Sequence, residues 1–164
     1  MGAGKSTVGR RLAKRLNLPF IDTDTAIADA AGFSAGEVFE RFGEEEFRDG
    51  ERRVVARLID GEVCVIATGG GAYVDPRTRE LLNERAITVW LDAPVEVLVD
   101  RTARRDTRPL LKNGDPEQVL RDLLAIREPV YAEADVTVVS REVPHEVMVS
   151  ETLGELERFL KGKA

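Results

Sequence analysis

The sequence predicts an α/β domain in which helices flank a parallel sheet. Three observations support this class: short apolar runs alternate with helical patterns, a glycine-rich loop opens the first helix, and several helices begin at a residue followed by proline. The apolar runs are almost continuously hydrophobic, as is typical of strands buried on both faces. The strand candidates are Phe20–Ile21, Val63–Ala67, Ile87–Leu91 and Val136–Val139.

Helices are predicted in the intervals between these strands. In the first helix, Val8, Leu12 and Leu16 recur every four residues and form one apolar face. Ser34 and Glu37 have the spacing of a capping box, which predicts a short helix running toward residue 41. Three pairs, Asp75-Pro76, Ala93-Pro94 and Asp115-Pro116, each predict an N-cap followed by proline at the first helical position. The remaining helices are predicted over about 44–60 and about 144–160.

Length and composition bound the function. The chain has 164 residues, of which 43% are hydrophobic and 33% charged, which suits one globular domain. A net charge of −6 disfavours a nucleic-acid partner, and we find no apolar run of membrane length and no signal peptide. We expect a cytoplasmic protein and a monomer, although the sequence itself carries no signal for the oligomeric state. The single cysteine, Cys64, is predicted to be a buried hydrophobe, and the single histidine, His145, to lie at a helix start.

Residues 2–7 match the end of the phosphate-binding pattern G-x-x-x-x-G-K-[ST]. Gly4 allows close approach of the backbone to a phosphate, Lys5 supplies positive charge, and the Ser6 hydroxyl is suited to Mg²⁺. The alternative is a glycine-rich turn that caps a helix. The full pattern has another glycine two residues before Gly2 and a strand before that. We expect both to be encoded upstream of Met1.

Asp22 and Asp24 follow the first apolar run, at the end of a strand where ligands bind in open α/β sheets. One carboxylate could hold Mg²⁺ through water, and the other could accept a proton from a hydroxyl nucleophile. Helix capping is the alternative interpretation.

Three further segments have a structural and a functional interpretation each. Arg48 is spaced to pair with Glu44 and Glu51, either as a surface ion pair or as a guanidinium held for a substrate carboxylate. The glycines at 69–71 form either a plain turn or a place where a substrate approaches the backbone. The basic run at 102–114 is either a solvated loop or a lid over phosphates.

These motifs together resemble the shikimate kinase family over nearly the whole chain. The matching segments are Gly4-Lys5-Ser6, Asp22-Thr23-Asp24, Gly43-Glu44 with Phe47-Arg48, Gly69-Gly70-Gly71, Arg108-Pro109-Leu110-Leu111, and Arg127 with Tyr131. The resemblance implies one kinase domain over residues 1–164 with the nucleoside-monophosphate-kinase-like P-loop fold. Its sheet would have the order 2-3-1-4-5, with the first, central strand missing from this sequence. Residues of about 24–51 would bind substrate, and residues of about 102–115 would form the lid.

The resemblance also implies an activity, the ATP- and Mg²⁺-dependent phosphorylation of shikimate to shikimate 3-phosphate in aromatic amino-acid biosynthesis. The implied catalytic residues are Lys5, Asp24 and Arg108. The implied nucleotide-binding residues are Gly2, Ala3, Gly4, Lys5, Ser6, Thr7, Arg101, Arg108 and Pro144, with Arg101 and the 140–144 loop flanking the adenine. The implied shikimate-binding residues are Asp24, Phe39, Phe47, Arg48, Gly69, Gly70, Gly71 and Arg127. The implied metal-binding residues are Ser6 and Asp22.

Two alternatives remain open at this point. One is another small-molecule kinase of the same fold, such as a gluconate kinase, although that substrate has less need of the arginine pair Arg48 and Arg127. The other is a nucleotide-binding module that is inactive because the N-terminal strand is absent.

Overall fold

The structure of the chain is a computed structural model that describes residues 2–103 and 115–163. Helices and parallel strands alternate along it, as predicted. The helices are α1 (Lys5–Leu16), α2 (Thr23–Ala31), α3 (Ala35–Ile59), α4 (Pro76–Arg85), α5 (Val95–Ala103), α6 (Pro116–Tyr131) and α7 (His145–Lys163). The strands are β1 (Phe20–Asp22), β2 (Val65–Ala67), β3 (Val89–Asp92) and β4 (Val136–Val139).

The chain divides into two compact units, and the first consists of Ser6–Ile87. In this unit β1 and β2 pair in parallel, from Phe20 opposite Val65 to Asp22 opposite Ala67. A buried cluster of Ile27, Phe47 and Val54 packs α2 against α3. Because the strands are parallel, the residues that follow β1 and β2 emerge at the same edge of the sheet.

The second unit consists of Met1–Lys5 together with Thr88–Ala164. Its strands β3 and β4 are also parallel, from Val89 opposite Val136 to Asp92 opposite Val139. The predicted order counts the missing strand as strand 1, so β1 to β4 correspond to its strands 2 to 5. The pairs β1–β2 and β3–β4 therefore agree with the predicted neighbours 2-3 and 4-5. The complete five-stranded order stays a prediction.

The strands differ from the sequence expectations in length and burial. Val63 is 76% exposed and precedes β2. β3 begins at Val89, and the N–H and hydroxyl of the preceding Thr88 donate to the carboxylate of Asp135. The expectation that each strand is buried on both faces is wrong for β4. Its burial alternates, because Val136 and Val138 face the core while the residues between and after them are exposed.

The helix signals are largely confirmed. Ser34 and Glu37 form the predicted capping box, and Asp75 and Asp115 cap α4 and α6 with proline in the first turn. The two helices predicted over 34–60 are continuous in α3 but meet at a kink at Gly43.

Two boundaries moved. The carbonyl of Pro94, and not that of Ala93, accepts the first bond of α5, so that helix begins one residue later than predicted. The last helix begins at His145 and extends to Lys163, three residues beyond the predicted end.

Cys64, which was predicted to be buried, is only partly buried, and desolvation raises the pKa of its thiol. Among the helices described, none combines the length and the apolarity that crossing a membrane requires.

Candidate active site

Asp22 stands where β1 ends and α2 begins. One of its carboxylate oxygens accepts a hydrogen bond from the backbone N–H of Asp24 at 3.1 Å and caps α2. The other oxygen accepts from the Ser6 hydroxyl at 2.7 Å. The capping interpretation of Asp22 is therefore correct, and it leaves the second oxygen for the hydroxyl of the phosphate loop.

The ends of β1 and β2 are joined by a residue for which the sequence analysis proposed no role. Thr23 is fully buried, and its hydroxyl accepts a hydrogen bond from the backbone N–H of Gly69 at 3.2 Å. This bond holds the glycine loop at 69–71 against the start of α2. A threonine between two aspartates carries no sequence signal for such a contact.

Arg48 and Glu51 form an ion pair that is buried on the glutamate side. The Nη1 atom of Arg48 donates to Oε2 of Glu51 at 2.6 Å, and Glu51 is fully buried while Arg48 is 17% exposed. A second, longer contact of 3.5 Å joins Arg48 Nη2 to Glu44, which is mostly exposed. The arrangement is thus not a pair of solvated surface charges. The buried carboxylate of Glu51 orients the guanidinium of Arg48.

The glycine loop passes very close to this guanidinium. A Cβ atom added to Gly71 would lie 2.2 Å from Nη2 of Arg48, a distance at which atoms overlap. A Cβ on Gly69 would lie 3.1 Å from Oε1 of Glu51 and 3.4 Å from Oδ1 of Asp24. Arg48, Glu51 and Asp24 therefore converge on one short stretch of backbone. Close approach explains the glycines at 69 and 71 better than a plain turn does.

Glu51 is the fully buried carboxylate of this group. Burial raises its pKa above the ordinary glutamate value, and the neighbouring Arg48 acts in the opposite direction. Its Oε1 atom is buried and has no hydrogen-bond partner among the described residues. Glu51 can therefore accept a further bond on the side that faces Gly69.

Two aromatic side chains lie beside the arginine. Phe47 is buried, and its ring lies 5.1 Å from the Arg48 guanidinium carbon. Phe39 meets Phe47 edge to face at 5.6 Å and is 39% exposed. The structure thus brings together Asp24, Phe39, Phe47, Arg48, Gly69 and Gly71 in the unit of Ser6–Ile87.

The first residues of the phosphate loop belong to the other unit. Gly2 and Gly4 both have positive φ, at 73° and 91°, and Lys5 is the first residue of α1. Arg101 on α5 donates to the Gly2 carbonyl at 3.4 Å and to the Ser140 hydroxyl at 2.9 Å. It also donates to the Arg141 carbonyl, so it lies against the 140–144 loop, and the adenine-flanking role of both stays a prediction.

For most of the other predicted site residues, the structure gives the element and the exposure. Pro144 is exposed just before α7, and Arg127 is partly exposed on α6 in the same unit. Gly70 lies in the glycine loop, and Thr7 is in the first turn of α1. Arg108 and most of the predicted lid lie outside the described residues.

Ser6 and Asp22, the residues expected to bind Mg²⁺, supply two oxygen donors. Magnesium is typically held by one or two protein oxygens, together with waters and substrate phosphates. The Ser6 hydroxyl and the Asp22 carboxylate lie within 2.7 Å of each other and supply such a pair. No cluster of three or more acidic, histidine or cysteine ligands occurs among residues 2–103 and 115–163. The donor set fits a magnesium ion that is bound mainly through the nucleotide.

Comparison with known proteins identifies the family. A family model described as shikimate kinase matches residues 1–157. A shikimate kinase of Rhodopseudomonas palustris is 53% identical over 160 residues, which cover 98% of this chain and 79% of that protein. The solved structure of a shikimate kinase from Acinetobacter baumannii in complex with shikimate is 42% identical, with a TM-score of 0.91 over 96% of this chain and 89% of the other.

A gluconokinase structure from Sinorhizobium meliloti also superposes, with a TM-score of 0.67 over 99% of this chain and 90% of the other. At 20% identity this likeness shows the fold alone. The predicted fold class, that of a P-loop kinase, is therefore confirmed, and the resemblance found in the sequence motifs is confirmed over the alternative of a gluconate kinase. The chain belongs to the shikimate kinase family.

Proposed function

We propose that this enzyme transfers the terminal phosphoryl group of ATP to the 3-hydroxyl of shikimate. The family assignment supports the activity, and the Acinetobacter baumannii relative in complex with shikimate supports the substrate. The observation that carries the proposal is the buried Glu51, which orients the Arg48 guanidinium beside the glycine loop. A guanidinium held in this way presents a rigid fork that matches a carboxylate.

On the substrate side, Arg48 is proposed to bind the carboxylate of shikimate, and Arg127 to provide a second guanidinium for it. The unpartnered oxygen of Glu51 and the carboxylate of Asp24 lie near one stretch of backbone and are suited to accept from ring hydroxyls. The edge-to-face pair of Phe39 and Phe47 offers an apolar wall for the ring.

On the nucleotide side, the backbone N–H groups of residues 2–7 and the amino terminus of α1 are proposed to bind the phosphates. Lys5 contributes positive charge to the phosphoryl group in transfer. Ser6 and Asp22 would hold Mg²⁺, which supplies charge neutralisation on the phosphate oxygens. Arg101 and Pro144 are proposed to flank the adenine, and Arg108 to approach the phosphates as part of the lid.

In phosphoryl transfer the protein forms no covalent bond to the substrate, and its residues act by positioning and by charge. The substrate hydroxyl oxygen forms a bond to the γ-phosphorus, the bond between that phosphorus and the bridging oxygen breaks, and ADP leaves with that oxygen. The hydroxyl proton passes to a carboxylate, which we assign to Asp24. Charge on the three equatorial oxygens is balanced by Lys5 and Arg108, so positioning and electrostatics supply most of the acceleration.

The proposal extends to the molecule as a whole. Residues 1–164 are proposed to act as one kinase domain that is monomeric and cytoplasmic. Shikimate and ATP are its proposed small-molecule partners.

Turnover with purified protein tests this function. We expect ADP release that depends on shikimate and Mg²⁺, with formation of a phosphorylated product, and little or none with gluconate. Lys5→Ala serves as the background control, because deleting one preorganised transition-state charge lowers the rate by about 10²–10³. Binding of nucleotide without shikimate-dependent turnover would favour the alternative of an inactive nucleotide-binding module.

A further inference from the structure

Ser140 is the buried first residue of the 140–144 loop, and the proposed reaction gives its side chain no role of its own. It follows β4 directly and is 2% exposed. Its backbone N–H donates to the carbonyl of Asp92 and so extends the β3–β4 pairing by one residue. Its hydroxyl accepts from Nη1 of Arg101 at 2.9 Å and donates to the carbonyl of Ala3 at 3.2 Å. One buried hydroxyl thus connects the end of the sheet to the phosphate loop.

Arg101 completes this connection. The nitrogen that donates to Ser140 also donates to the Gly2 carbonyl at 3.4 Å, and the other nitrogen donates to the Arg141 carbonyl at 2.9 Å. The carbonyls of two consecutive loop residues, Gly2 and Ala3, are therefore both held by the Arg101–Ser140 pair. All these residues belong to the unit that contains Met1–Lys5 and Thr88–Ala164.

Peptide geometry links these carbonyls to the groups that face a phosphate. In a planar trans peptide the carbonyl of one residue and the N–H of the next point in opposite directions. Holding the carbonyls of Gly2 and Ala3 on the Arg101–Ser140 side therefore turns the N–H groups of Ala3 and Gly4 to the opposite side. Successive N–H groups of such a loop are the donors that cradle phosphate oxygens.

We propose that Ser140 is a positioning residue for the phosphate loop, which it holds so that the N–H groups of Ala3 and Gly4 are directed at the phosphates of ATP. Ser140 acts through the loop backbone, and its hydroxyl is already engaged on both sides by protein groups. The inference rests on the proposed function in that the ligand is taken to be a nucleoside triphosphate.

The test compares Ser140→Ala with the unaltered chain by titration calorimetry in the presence of Mg²⁺. Two probes are used, ATP and inorganic tripolyphosphate, which has the phosphates without the base. One hydrogen bond contributes a net free energy that corresponds to about five- to tenfold in affinity, so we expect Ser140→Ala to weaken both probes by that factor. The KM for shikimate should change by less than about twofold, because neither partner of the Ser140 hydroxyl, Arg101 or Ala3, is a residue proposed to bind shikimate.

Thr152→Val is the matched control. Thr152 is 1% exposed in the same unit, and its hydroxyl donates to the Met148 carbonyl within α7 at 2.7 Å. The control therefore also removes a buried hydroxyl and its bond to a backbone carbonyl, but away from the loop. It should lower the melting temperature by an amount similar to that of Ser140→Ala and leave both affinities unchanged.

Several outcomes would overturn the proposal. Unchanged affinities in folded Ser140→Ala would do so, as would an unaltered chain that fails to bind tripolyphosphate. Loss of ATP affinity alone would mean that Ser140 acts on the base through Arg101. If Ser140→Ala does not fold, Ser140→Cys has a slightly larger side chain of the same branching that forms weaker hydrogen bonds, and it should give a smaller loss in the same direction. Failure of both variants to fold would make Ser140 purely structural.

Failure of the proposed function is recognised separately. If the unaltered chain binds ATP and tripolyphosphate but leaves shikimate unphosphorylated, the proposed function fails while the affinity comparison at Ser140 stands.

Discussion

At the residue scale, the orientation of Arg48 depends on two neighbours of opposite character. Glu51 holds one end of the guanidinium by a 2.6 Å hydrogen bond, and the missing side chain of Gly71 leaves room for the other end. The pair is one helical turn apart on α3, so the helix itself sets the direction from which Glu51 acts. Each neighbour can be changed without removing the arginine.

The first prediction concerns the guanidinium. Arg48→Ala should raise the KM for shikimate by roughly 30-fold or more, because loss of one partner of a close charge pair costs about 2–5 kcal/mol. Arg48→Lys should also weaken shikimate, since an ammonium cannot form the two-pronged contact. The KM for ATP should move little in either variant.

Arg85→Lys is the control for that prediction. Arg85 pairs with Asp60 at 2.5 Å, but both side chains are largely exposed, so the exchange should be almost neutral. Steady-state kinetics with each substrate varied in turn gives both KM values. Weakened ATP with unchanged shikimate would place the carboxylate-binding residue elsewhere.

The second prediction concerns the space beside Arg48. The new Cβ of Gly71→Ala would meet the end of a flexible side chain, so the fold should survive while the guanidinium is displaced. We expect a higher KM for shikimate with a melting temperature close to that of the unaltered chain. Gly36→Ala, whose Cβ would meet nothing within 4 Å, is the control. An unaltered KM in Gly71→Ala would show that Arg48 does not need its present position.

At the element scale, α3 carries both the buried core of its unit and the site residues from 44 to 51. The capping box at Ser34 begins the helix, and the kink at Gly43 redirects it before Phe47 and Arg48. Gly43 has φ of 85° and ψ of 175°, a combination that is essentially restricted to glycine. The kink therefore depends on one residue.

The third prediction tests the kink with two glycines of the same helix. Gly43→Ala should lower the free energy of unfolding by about 1–3 kcal/mol, because alanine is strained at this conformation. Gly50→Ala should instead raise it by about 0.5–1 kcal/mol, since Gly50 is helical and its Cβ would meet nothing within 4 Å. Urea unfolding followed by circular dichroism measures both. Equal effects of the two substitutions would show that the kink is not specific to glycine.

At the scale of the whole molecule, the buried carboxylate of Glu51 ties stability to pH. Burial raises its pKa in the folded chain, so the folded state favours the protonated form. Its contribution to stability is therefore greatest below the unfolded pKa and is lost as the pH rises through the folded pKa. The pKa of Asp75 shifts in the opposite direction. Partial burial would raise it, but hydrogen bonds from Thr78 and the charge of Arg77 outweigh burial and lower it, so Asp75 stabilises the folded chain more as the pH rises.

The fourth prediction isolates Glu51 by difference. The free energy of unfolding of the unaltered chain minus that of Glu51→Gln should decrease as the pH rises from the unfolded glutamate pKa through the higher folded value. Groups that do not interact with Glu51 cancel in this difference, whereas the charges of Asp24 and Asp75 act on Glu51 and raise its pKa further. Urea unfolding over the range of about pH 4 to 7 measures it. A difference that grows with pH would mean that the Arg48 charge dominates over burial.

Much of the local structure follows from short-range rules that can be applied to the sequence. The caps at Ser34, Asp75 and Asp115 occur where a polar side chain can accept from free N–H groups at a helix start. The sequence also reveals the glycine-rich loop before α1 and the two carboxylates at the end of β1, because each of these motifs consists of residues that are close together in the chain. These motifs were sufficient to predict the family.

Long-range contacts were decided by the tertiary structure. The hydrogen bond from Gly69 to Thr23 spans 46 residues, and the hydrogen bond from Ser140 to Ala3 spans 137. In both cases the sequence around the hydroxyl residue does not indicate which distant backbone group it bonds. The burial of Glu51 likewise became visible only when α3 packed against the loop after β2. Side-chain type and spacing determine what a segment can do locally. Which distant backbone atom a buried hydroxyl or carboxylate meets depends on how the strands pair and the helices pack.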